Sequence, residues 1–153
     1  DVASIVVTGS EKMASHHNIA EPQDLGMAQY SVPFSIAIAA FKDPRDPSVF
    51  CDAALNDRAI RALCRNVRLE ASTEMTKHNQ LASRVAVVLK DGRTLAKDAQ
   101  YFPGHSRQPF NEQQLRDKFD RLMTALPVAS ADRIFRDFLA LETVHDVGQL
   151  QLS

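Results

Sequence analysis

Tryptophan is absent, and Phe, Trp and Tyr together make only 7% of the 153 residues. That leaves little material for a platform on which nucleic-acid bases could stack. A formal net charge of -1 also removes the clustered cationic footprint that nucleic acid or an anionic membrane surface demands. Neither is expected as a partner.

Cysteine is scarce as well. Cys51 and Cys64 are too few for a disulfide framework and lack the CxxC spacing of a zinc or redox site. Both are expected reduced, in keeping with a cytoplasmic protein. Cys64 falls on an apolar helical face, where a free thiol behaves as a small hydrophobe. Long hydrophobic runs are missing too. The longest apolar segment, "VPFSIAIAAF" (33–41 with Val32), is about half of the ~20 residues that a spanning helix requires. The opening "DVASIVVTGSEK" has neither the basic nor the apolar region of a secretory signal. It enters a strand-like pattern at once, which leads us to expect a fragment of a longer chain.

What is present describes a folded domain. Hydrophobic residues at 44% and charged residues at 24% are ordinary globular values, and the length suits one domain over 1–153. Val2 to Thr8 is short and β-branched, hence a strand. "GSEKMASHHNIAEPQDLG" has no period and reads as a long connection with one irregular turn. In "AQYSVPFSIAIAAF", Pro33 suits the first turn of a helix capped by Ser31, and small residues on every side imply burial all round. "KDPRDP" ends it.

Ser48 is placed to cap a helix over "VFCDAALN", and Asn56 or Asp57 to cap a second. There Ile60, Leu63, Cys64 and Val67 fall at i, i+3, i+4 and i+7. From Asn66 the period becomes two, giving a strand through Ala71. "RVAVVLKDGRTLAKDAQY" predicts a hairpin turning at Asp91-Gly92 in a type I′ turn. Asn111 and Gln114 form a capping box for a helix that Pro127 closes. A last helix from about Ser130 turns Ile134, Phe135, Phe138, Leu139 and Leu141 inward, and the tail over 144–153 reads as a frayed end or an edge strand. The sum is an α+β fold, with a mainly antiparallel sheet of about four strands and helices packed against it.

Catalytic chemistry is harder to find. His16-His17 has no carboxylate or thiol at ligand spacing and reads as a solvated loop pair, with substrate contact open to it. The "GHSR" turn offers His105, Ser106 and Arg107, and a guanidinium there could hold a carboxylate through two parallel hydrogen bonds. A turn whose polar groups merely satisfy backbone atoms explains the same residues. His78 and His145 stand alone. No nucleophile elbow or phosphate loop is present, and the arginines from Arg58 to Arg68 read as a solvated face.

Four segments in order resemble the carboxy-terminal domain of the MmgE/PrpD family. They are "AQYSVPFSIAIAAF", "ALNDRAIRALCRNVRLE", "RVAVVLKDGRTL" and "FPGHSRQPFNEQQLRDKFDRL". That family includes 2-methylcitrate dehydratase, cis-aconitate decarboxylase and iminodisuccinate epimerase. The resemblance implies a homodimeric two-domain lyase or isomerase for small di- and tricarboxylates, without metal or other cofactor. A dehydratase of the 2-methylcitrate type, serving propionate metabolism, is the favoured member. The lysine and histidine acid-base groups of the family lie mostly in a helical domain absent here. The smaller domain is expected to supply a pocket wall and dimer contacts and to be inactive alone.

One family position carries over. The tyrosine after Ser-aliphatic-Pro is Phe34 in this chain, a ring that cannot donate a hydrogen bond or a proton. The resemblance places it at a pocket edge, with Tyr30 one helical turn earlier bringing a phenol to a similar place. The pocket candidates are therefore Phe34, Tyr30, Ser31, His105 and Arg107. The alternative is a non-enzymatic interaction or carboxylate-binding module of the same fold.

Overall fold

The computed structural model describes residues 1–146 and 148. They form two compact units, one over 1–108 and a second from Pro109 onward. In the first unit four strands make one sheet: β1 (Val2–Gly9), β2 (Val67–Ala71), β3 (Ser83–Leu89) and β4 (Thr94–Ala99), ordered β2-β1-β3-β4. Both β3 pairings are antiparallel, whereas β1 and β2 run parallel with Val7 opposite Leu69. A parallel pair needs a long crossover, and the helices between β1 and β2 provide it.

Alternation decides which face is covered. Ile5, Val7 and Val67 are buried beneath Val32, Ile36 and Leu63, with Val85 and Val87 on the same side. The register between β1 and β3 shifts between Val2 and Ser4. The extra residue, Ala3, turns Val2 to the covered face, as a β-bulge does. On the opposite face Arg84 and Asp98 are direct cross-strand partners joined at 2.9 Å.

The expected long connection after β1 is in fact two short helices, α1 (Glu11–His16) and α2 (Leu25–Tyr30). Each is too short to display an apolar stripe, so periodicity misses it. Their caps do show: Ser10 accepts the Met13 N–H and Asp24 the Met27 N–H. α3 (Val32–Phe41) begins as expected, with Ser31 accepting the Phe34 N–H and Pro33 in the first turn. It buries Pro33, Phe34, Ala37 and Ile38 against Ala54, Leu55, Ile60 and Cys64.

The single helix expected after Ser48 divides. Asp46, rather than Ser48, caps a 3-10 turn over Pro47–Val49, the chain leaves helical geometry at Phe50, and α4 spans Asp52–Leu55. Asp57 caps α5 (Arg58–Cys64) by accepting from Ala59 and Ile60. A helix missing from the sequence reading, α6 (Thr73–His78), follows β2 under a Ser72 cap.

The β3–β4 hairpin forms, but its turn is not type I′. That turn needs positive φ at two residues, and only Gly92, at 88°, has it there. Gly92 N–H bonds Leu89 O while Leu89 N–H bonds Arg93 O, closing a three-residue loop that ends in a left-handed glycine.

In the second unit, the Asn111–Gln114 capping box starts α7 (Glu112–Leu122). Helix α7 stops at Leu122, and Pro127 instead stands at the N-cap of α8 (Val128–Leu139). α8 buries Ala131, Ile134 and Phe135, whereas Phe138, Leu139 and Leu141 stay exposed. The tail pattern expected over 144–153 lies largely outside the described residues.

Candidate functional site

The joint between α2 and α3 is built by one residue. Ser31 ends α2, caps α3 and takes extended angles (φ -86, ψ 113), so Tyr30 and Phe34 belong to different helices. The i to i+4 relation expected between them does not exist. Their environments part accordingly. Phe34 is 1% exposed and meets Phe50 edge-on at 6.1 Å within the core, not at an open pocket edge. Tyr30 is 66% exposed, and its hydroxyl has no hydrogen-bond partner among the described residues.

Ser31 itself is buried, and its hydroxyl donates to Ile19 O. Against this joint lies His17, at the C-cap of α1. The rings of His17 and Tyr30 are near parallel, at 13° with centroids 6.3 Å apart. His17 Nδ1 is 3.1 Å from the Tyr30 carbonyl oxygen. The His17 carbonyl accepts the Val32 N–H at 3.0 Å. Two backbone links thus hold the imidazole beside the exposed phenol. His16 points elsewhere, with Nδ1 2.8 Å from Ser15 Oγ.

The second candidate is the turn after β4. His105 stacks on Tyr101 at 4.7 Å and meets Phe102 edge-on at 5.4 Å. Its Nδ1 accepts the Arg107 N–H at 3.1 Å, which fixes the neutral ring with its proton on Nε2. Gly104, at φ 94°, makes the turn possible because glycine alone takes that conformation freely. The Arg107 side chain is exposed and has no ion pair among the described residues. His105 and Arg107 are brought together with each other, while Tyr30 and Ser31 form a separate cluster.

A further hollow of about 370 Å³ lies over β3 and β4, lined chiefly by Val85, Val87, Leu95 and Lys97. None of the expected site residues lines it. Among the described residues no three His, Cys, Asp or Glu side chains cluster as metal ligands would, and no helix is long and apolar enough to cross a membrane. Sequence reasoning left His17 as one of a solvated pair. Its link to Tyr30 spans 13 residues and depends on how α1 and α2 are set, so no local pattern announces it.

Cys64 is buried, and its thiol donates to Ala20 O at 3.0 Å. Burial pushes its pKa from 9.0 up to about 11, against the lowering pull of Arg61 and Arg65. Such a thiol is held neutral and is a packing group rather than a nucleophile.

These elements define an α+β domain whose exposed chemistry gathers at a helix joint and a glycine turn. The chain belongs to the MmgE/PrpD family: the model of the MmgE/PrpD C-terminal domain matches residues 1–141. Among curated proteins none matches the chain.

Proposed function

We propose that this chain is the smaller domain of a lyase or isomerase acting on small di- or tricarboxylates, with a 2-methylcitrate type of dehydratase favoured. It contributes a wall of the substrate pocket, while the main acid-base groups belong to a helical domain of the same protein. Membership of the MmgE/PrpD family supports this reading. The observation that carries the placement of the pocket is Tyr30: a phenol two-thirds exposed, its hydroxyl without a hydrogen-bond partner among the described residues, and its ring stacked with an imidazole.

Proton abstraction next to a carboxylate builds up negative charge, which a positioned donor stabilises. Phe34 cannot serve, lacking a hydroxyl and lying in the core. Tyr30 has both the donor and the exposure. The test is turnover of 2-methylcitrate, cis-aconitate and related acids by the full-length protein that carries this chain. Wild-type turnover reduced at least tenfold in Tyr30→Phe is the expected result, and an unchanged rate removes Tyr30 from the pocket.

A second reading, a carboxylate-binding module, draws on the "GHSR" turn. With Nδ1 occupied by the Arg107 N–H, His105 keeps Nε2–H as a donor on the turn that bears an exposed guanidinium. Citrate binding abolished by Arg107→Ala, in a protein without turnover, favours this reading over the first.

A further inference from the structure

The His17 ring carries information that its sequence position does not. A backbone carbonyl can only accept a hydrogen bond. The 3.1 Å approach of Nδ1 to the Tyr30 oxygen therefore requires the proton on Nδ1. In a neutral imidazole that leaves Nε2 with its lone pair. The two nitrogens flank Cε1 and their outward directions in the ring plane diverge widely, so Nε2 points away from the carbonyl that anchors Nδ1. It has no hydrogen-bond partner among the described residues.

When both rings are neutral, backbone groups thus set His17 and His105 in opposite tautomers. His105 offers an N–H, and His17 offers an acceptor. A ring needed only to satisfy the Tyr30 carbonyl would be served by any donor; this one also sets a second nitrogen, without a protein partner among the described residues, beside the exposed Tyr30 ring. Carboxylates offer no proton at neutral pH, whereas an alcohol does.

We propose that His17 is a specificity residue whose Nε2 accepts a hydrogen bond from the hydroxyl of a hydroxycarboxylate bound against Tyr30. This rests on the reading of the α2–α3 joint as a pocket wall. The ligand class is a di- or tricarboxylate bearing a free hydroxyl, and its deoxy analogue is discriminated against.

Citrate and tricarballylate differ by that hydroxyl alone and serve as probes, titrated calorimetrically into the full-length protein. The wild type is expected to favour citrate by about tenfold, the scale of one net hydrogen bond. His17→Asn keeps a donor for the Tyr30 carbonyl but has no ring acceptor. It is expected to bind tricarballylate as the wild type does and to lose the preference for citrate. A preference retained in His17→Asn, or absent from a wild type that binds both acids, overturns this inference and leaves the pocket-wall reading standing. Binding of neither acid removes both.

Should His17→Asn fail to fold, imidazole 15N spectra of the wild type decide. A proton on Nδ1, with an Nε2 resonance that responds to citrate and not to tricarballylate, is the expected result. An Nε2–H ring in the free protein rules the proposal out.

Discussion

The Ser31 hydroxyl donates to the Ile19 carbonyl at 2.5 Å while accepting the Phe34 N–H at 2.9 Å. One buried oxygen therefore ties the connecting segment to the helix that it caps. Ser31→Ala removes both bonds and strands a carbonyl and an amide. A loss of about 1–3 kcal/mol is expected, measured by urea unfolding. Ser31→Asp restores an acceptor for Phe34 but no donor for Ile19, and it introduces a buried charge. Asp is therefore expected to be no more stable than Ala, and recovery of wild-type stability would show that the Ile19 bond is immaterial.

Gly92 adopts φ 88° at the end of the β3–β4 loop. A Cβ meets no atom within 4 Å there, so the cost of a side chain is conformational. Gly92→Ala is expected to cost about 1–2 kcal/mol, and Gly92→Asn less, since Asn tolerates this region better. Equal losses for the two variants in chemical denaturation would point to a cause other than φ.

The Cys64 thiol ionises at about 11 in the folded chain, raised from 9.0 chiefly by burial. Below pH 9 the thiol is protonated in both folded and unfolded states. Between pH 9 and about 11 the unfolded chain sheds the proton while the folded one holds it, so stability falls as pH rises. Cys64→Ala is expected to flatten that decline, seen in melting temperatures across the window. The native thiol is also expected to resist a disulfide reagent at pH 8 until the protein is unfolded.

In the second unit Arg116 joins both Asp120 and Asp132, and its guanidinium lies 5.2 Å from the centre of the Phe135 ring. The two carboxylates raise its pKa. One planar fork thus links α7 to α8. Arg116→Lys keeps the charge but cannot make both contacts in a fixed geometry. Faster amide exchange in α8 is expected for Lys and for Ala alike. Protection equal to wild type in the Lys variant would assign the link to charge alone.

Much of this fold was legible because its signals are local. Ser31 and Pro33 announce the start of α3, Asp57 that of α5, and Asn111 with Gln114 that of α7, since a cap acts within one helical turn. Alternation in Val85 and Val87 marks a strand by the same short-range logic. Helices α1, α2 and α6, of six residues each, show no stripe and left only Ser10, Asp24 and Ser72 as evidence. The hairpin was legible from Asp91-Gly92, but the turn type was not. It depends on pairing Leu89 with Arg93, a matter of register.

The candidate site divides along the same line. The sequence alone determined that Phe34 lacks a hydroxyl, that an all-round apolar helix must be buried, and that the ordered segments resemble one family. It could not determine which ring of "QYSVPF" meets solvent. Ser31 breaks the helix between Tyr30 and Phe34, sending one side chain outward and the other into the core. Packing of α1 beside that break then brings His17 to the Tyr30 carbonyl. A carbonyl accepts and never donates, so tertiary structure, rather than residue type, decides that Nδ1 of this histidine carries a proton and that Nε2 is the nitrogen with the lone pair when the ring is neutral.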